Sequence, residues 1–213
     1  MSLSLISCDK KFSPQNGDLL FQDLDCGPVC DAIESVTQGI YGANLSHIGM
    51  VVYKNDKCMV LEAISAGVVL TPLDDFLSRS HDSLGHPKVI VGRLKKDYRD
   101  LIVKAIDESK YYIGKPYDDL FDITNDSYYC SEMLYLIFKN ANNNNEIFSL
   151  VPMTFKKPGT SEFFPQWIDY FNERNQPIPE GKPGINPGSM SRSKAIEIVH
   201  IYGFPAGWNN ERN

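Results

Sequence analysis

"NDSYYCSEMLYLIF", Asn125–Phe138, places one cysteine where a polar turn gives way to an apolar repeat. The repeat reads as a helix, with Asp126 or Ser127 as its expected cap and Cys130 three or four positions inside. Backbone N–H groups there lack internal acceptors and the macrodipole is positive, both of which favour a thiolate. An ordinary thiol, with a pKa of about 8.5, is only a few per cent ionised at neutral pH, and a hundredfold gain takes about 2.7 kcal/mol. A helix end supplies roughly 0.3–1 kcal/mol of that. The dipole is not enough. If Cys130 is a nucleophile rather than a small buried hydrophobe, a histidine must complete the shift and carry the proton.

Four histidines are available. His81 and His86 lie in the turn-rich "RSHDSLGHP", and His200 sits in a late strand as half-buried packing. His47 differs, because it opens the apolar strand "HIGMVV" beside Gly49, which permits close approach of another element. A base also needs its second nitrogen held. Glu62 interrupts "CMVLEAI", where an acid is costly unless paired. If the two strands form a hairpin through "KND", Glu62 lies across from or diagonal to His47.

The remaining chain alternates strands and helices without βαβ repetition, which indicates an α+β fold. "GDLLFQ" (17–22), "SAGVVLTPL" and "HPKVIVGRL" read as extended pieces, and "KAIEIVHIYGF" as a last strand. Helical spacing runs from Pro28 to Gly39 and from Tyr98 to Ile113, where Gly114 ends it. Thr71 is the expected cap of a short helix starting at Pro72. "GKPYDDLFDITNDS" and "NANNNNE" read as loops, and Pro165 as the start of a short aromatic helix. One domain over residues 10–213 is expected, preceded by a flexible segment, 1–9.

A chain of 213 residues holds a core without staples. A net charge of -6 with no dense Lys/Arg cluster argues against a nucleic-acid partner. No apolar run is long enough for a transmembrane segment. "LISC" before Asp9 resembles the end of a bacterial lipoprotein signal, which makes Cys8 a candidate for lipidation and points to the cell envelope or periplasm. In "CGPVC", Cys26 and Cys30 share a helical face, which allows a redox pair, although packing is the plainer reading. Zinc held by Cys26, Cys30 and His47 lacks a fourth ligand.

The segments "GDLLF", "LSHIGMVV" followed by "VLEAISAGVVLTPLDDF", "YIGKPYDDLFD" and "YYCSEMLYLIF" together resemble the permuted NlpC-type, papain-like cysteine hydrolases related to YiiX. In ordinary papain-like enzymes the cysteine comes first. Here the strands carrying histidine and acid precede the cysteine helix, as in the circularly permuted family. The resemblance implies Cys130 as nucleophile, His47 as base and Glu62 as the third member. It also places Tyr117, of "GKPYD", in the active-site wall or at the oxyanion. It implies an amidase or peptidase that needs no cofactor, with cell-wall peptides as the first substrate class and lipid or N-acyl amino acid amides as the second. A non-catalytic peptide- or lipid-binding domain is the rival from another class; its mark is a Cys130 buried away from His47. The aromatic run "FFPQWIDYF" offers Phe164 and Trp167 as a substrate groove.

Overall fold

A computed structural model describes residues 12–209. Its centre is a six-stranded sheet. In chain order the strands are β1 (Leu19–Gln22), β2 (His47–Lys54), β3 (Lys57–Ile64), β4 (Gly67–Pro72) and β5 (Val89–Leu94), followed by a two-residue pair, β6 (Val151–Pro152) with β7 (Pro183–Gly184), and then β8 (Ile196–Ile201). The helices are α1 (Pro28–Val36), α2 (Leu73–Leu77), α3 (Leu101–Tyr112), α4 (Cys130–Ala141), α5 (Pro165–Glu173) and α6 (Pro187–Ser191). The sheet order is β4-β3-β2-β1-β5-β8, and every neighbouring pair is antiparallel. Helices against an antiparallel sheet make the fold α+β.

Strand alternation decides what each face does. Leu19 and Phe21 of β1, Ile48 and Met50 of β2 and Leu61 and Ala63 of β3 all point into the main core with α3 and α4. Leu20, Val51, Val60, Val89 and Val91 point the other way and pack with Phe76 of α2. His47 and Glu62 keep the parity of this second set. The β2–β3 hairpin closes through Asn55 and Asp56, both at positive φ, a conformation that Asn and Asp tolerate and that a tight two-residue turn needs. The turn fixes Met50 opposite Leu61, so continued register sets Glu62 diagonal to His47.

In α4, Met133, Leu134, Ile137 and Phe138 are fully buried. At about 1.5–3 kcal/mol for each such side chain, this packing anchors the helix far more firmly than its propensity does. The helix starts later than expected. Cys130 is its first residue and Tyr129 its cap, not Asp126 or Ser127. Asp126 is engaged by Lys115 and the Tyr128 hydroxyl instead, and Glu132 accepts the Tyr129 N–H at 3.2 Å to close the turn. The Thr71 cap also fails. Helix α2 begins after Pro72 without a side-chain cap, because the Thr71 hydroxyl donates to Glu62. The short β6–β7 pair and α6 were not expected, although Asn186 as cap and Pro187 at the first helical position were a signal for α6. Cys8 lies outside the described residues.

Candidate active site

His47 is the first residue of β2 and Cys130 the first of α4, and the two meet at that shared end of the sheet. Both are nearly buried, at 6% and 7% exposure, and line one cavity, where the neighbouring Cys130 sulfur favours the protonated imidazole. Its Nε2 lies 2.7 Å from Glu62 Oε2, leaving Nδ1 for the sulfur. Glu62 has no exposed surface. Arg79 grips its carboxylate with two charge-assisted bonds, Nη1 to Oε2 at 2.7 Å and Nη2 to Oε1 at 2.6 Å, and Thr71 donates to Oε1. Gly49 makes the hairpin this tight, since a Cβ there would lie 2.4 Å from Val60 Cγ1.

These contacts set the charges. Burial pushes the Glu62 carboxyl up, but hydrogen bonds from His47, Arg79 and Thr71 outweigh it and hold the pKa at about 2. Burial works against an imidazolium, yet the Cys130 and Glu62 contacts prevail and raise His47 to about 9. A protonated imidazole between a carboxylate and a sulfur is the arrangement that stabilises a thiolate.

Cys130 opens onto a cavity of about 540 Å³. Its walls are largely apolar: Val29 and Ile33 of α1, Met153, Phe155, Trp167 and Ile185. Tyr117 lines it as well, and burial together with charge at Cys130 keeps its phenol protonated, hence a donor. The Tyr117 loop is seated by Gly67, where a Cβ would lie 2.6 Å from the Lys115 carbonyl, and by Asp118, which accepts the N–H groups of Leu120 and Asp122. Segment 185–186 docks on the cysteine turn, because Ile185 donates its N–H to the Tyr129 hydroxyl and accepts from the Ser131 hydroxyl. The backbone N–H of Cys130 meets no acceptor among the described residues, as an oxyanion donor requires.

The structure thus brings Cys130, His47, Glu62, Tyr117 and Trp167 to one place. Phe164 joins the aromatic cluster around Trp167 without lining the cavity. His81 and His86 are exposed, and His200 stacks on Phe12. The binding-domain rival loses its mark, since Cys130 is not separated from His47. Cys26 and Cys30 depart from the packing reading. They form a disulfide in the cavity wall, with Cys26 just before α1 and Cys30 in its first turn, so neither is free to bind zinc. Sequence reasoning missed Arg79. The available signal was physical: a buried acid beside a single histidine needs more compensation, and "FLSRS" carries the nearest arginine after the hairpin.

The chain is 32% identical over 130 residues to the uncharacterized protein YiiX of Escherichia coli K12; the match takes in 61% of this chain and spans 60% of that relative's length. A crystal structure described as the metalloprotein YiiX of Escherichia coli O157:H7 superposes with a TM-score of 0.72 at 27% identity, covering 91% of this chain and all of that one. Among the described residues of this chain, no three His, Cys, Asp or Glu side chains cluster so as to hold a metal ion, so its donor set does not fit such a centre. The family of permuted papain-like amidase enzymes, YaeF/YiiX, C92 family, matches residues 13–200, and the chain belongs to it.

Proposed function

We propose that the protein is a cysteine amidase in which Cys130 is the nucleophile, His47 the proton carrier and Glu62 the residue that orients it. The observation that carries this reading is that the His47 ring, bound to a buried carboxylate, lines the same cavity as the Cys130 sulfur. The thiolate attacks the amide carbonyl, and the carbon–oxygen π pair moves to oxygen. The Cys130 N–H and the Tyr117 hydroxyl are the donors placed to receive that charge. When the tetrahedral centre collapses, the C–N bond breaks and protonated His47 gives its proton to the departing amine. Neutral His47 then takes a proton from water, which attacks the thioester; the C–S bond breaks, the acid leaves, and thiolate beside protonated His47 is restored.

The cavity favours one substrate class over the other. Walls of Val29, Ile33, Met153, Phe155 and Trp167 suit an apolar acyl chain better than a cell-wall peptide. We therefore place amides of lipid or N-acyl amino acid type ahead of muropeptides. The Cys26–Cys30 disulfide supports an oxidising compartment such as the cell envelope.

The test is intact-protein and peptide mass spectrometry after brief incubation with N-acyl amino acids of graded chain length and with muropeptides. The expected result is an acyl adduct on Cys130 that grows with chain length and is absent in Cys130→Ala. Hydrolysis that survives Cys130→Ala overturns the chemistry, and an adduct formed only by muropeptides overturns the substrate assignment.

A further inference from the structure

Glu132 follows Cys130 by two residues on α4 and has no task in the chemistry above. Its side chain is fully buried. Oε2 accepts the Tyr129 N–H at 3.2 Å, whereas Oε1 meets no partner. The groups that face it are Asp118 and Asp122 from the loop after α3, Tyr112 from α3 itself, and Tyr129 and Cys130 from its own turn. The charged groups of β2 and β3 near the site, His47 and Glu62, are engaged with each other, with Cys130 and with Arg79. Lys182 lies 3.5 Å from Asp122, and among the described residues no cation pairs with Glu132. A carboxylate in such surroundings carries a large desolvation cost that one backbone N–H and the positive end of the helix offset only in part, whereas a carboxylic acid carries little.

We propose that Glu132 is a positioning residue that works as a neutral acid, holding the Tyr129 N–H and so the first turn of α4 without placing negative charge beside the nucleophile. The inference rests on Cys130 being that nucleophile. The turn it holds also presents the Cys130 N–H and carries the Tyr129 and Ser131 hydroxyls that fix Ile185 in the cavity wall. Ionised, the same side chain opposes both the thiolate and the oxyanion. Burial, reinforced by Asp118, Asp122 and Cys130 and only partly relieved by the Tyr129 N–H, moves its carboxyl up to about 8. The change of charge therefore falls just above neutral pH.

Two variants and one spectrum test this. Glu132→Gln keeps an acceptor for the Tyr129 N–H and cannot ionise; Glu132→Leu removes the acceptor. The rate of iodoacetamide addition is read at the Cys130 peptide across pH. The ratio of the Gln variant's rate to the wild-type rate should rise at least threefold between about pH 6.5 and about pH 9. The Leu variant should be slower than the Gln variant at every pH. A purely structural side chain gives a ratio independent of pH, and that result overturns the inference. Infrared difference spectra, wild type minus Glu132→Gln at neutral pH, should show the carbonyl band of a protonated carboxyl. Its absence overturns the neutral acid whatever the acyl-adduct experiment finds, because the band reads Glu132 alone.

Discussion

Two glutamates flank the Cys130–His47 pair, both without exposed surface, and they are driven in opposite directions. Glu62 meets an imidazole, a guanidinium and a hydroxyl, and its pKa falls to about 2. Glu132 meets one backbone N–H and two nearby aspartates, and its pKa rises to about 8. Burial pushes both carboxyls up; it prevails at Glu132 and is outweighed at Glu62. What separates them is whether the fold supplies donors and positive charge, and the hairpin, β4 and the turn after α2 supply them only to Glu62. The comparison assigns the roles: the ionised acid stabilises imidazolium, and the neutral one leaves the sulfur undisturbed.

Removing the charge from Glu62 is the strongest way to break the contrast. Glu62→Gln should lower amide hydrolysis roughly 10²- to 10⁴-fold, mostly in kcat, because an amide keeps an acceptor but loses the charge that stabilises the His47 imidazolium and fixes its orientation. Steady-state kinetics on an acyl amide measures this, and a loss below about threefold would deny Glu62 its part. Arg79→Ala leaves that carboxylate with two of its three side-chain partners and should cost about 3 kcal/mol of stability. Urea melts read the cost. Arg79→Lys, a point charge without the planar fork, should recover only part of it.

The disulfide comes next in size. Cys26→Ser with Cys30→Ser should cost about 2 kcal/mol, since the closed loop is short. A thermal melt with and without a dithiol should show that shift in the wild type alone.

The pH dependence of stability sharpens the contrast by its sign. The Glu62 contribution is fully present above the model-compound value of 4.5 and is lost as pH falls toward about 2. Glu132 acts in reverse. The unfolded chain releases its proton near 4.5 while the folded one retains it to about 8, so stability is lost as pH rises through that interval. His47, raised from 6.5 to about 9, contributes stability that is complete below 6.5 and lost as pH rises through 9. Relative to wild type, Glu132→Gln should therefore gain melting temperature as pH rises from about 4.5 to about 8, whereas the deficit of Glu62→Gln should open as pH rises from about 2 to about 4.5 and stay level above that. Parallel curves for the two variants would erase the distinction.

Much of this site was legible in local pattern. The alternation of "HIGMVV" and "CMVLEAI" and the turn between them put Glu62 across from or diagonal to His47 before any coordinates, the register then choosing the diagonal, and the helix of Cys130 followed from its apolar repeat. What escaped depends on contacts far apart in the chain. Asp126 and Ser127 have good capping chemistry, but Lys115 claims Asp126 across the preceding loop, and the helix starts at Cys130 instead. Thr71 looked like a cap because nothing local says that Glu62, nine residues earlier, needs its hydroxyl. Cys26 and Cys30 were placed on one helical face, whereas the helix begins between them and the disulfide closes across its start. Nothing in the sequence pattern singled out Glu132, and only its complete burial shows that it lacks a cation.

The account stands on the coupling between one sulfur and one imidazole. Its most direct test is the second-order rate of iodoacetamide addition to Cys130 near neutral pH, in wild type and in His47→Ala, read at the Cys130 peptide. The account predicts a fall of at least about tenfold when the imidazole is removed. Equal rates in the two proteins would contradict it.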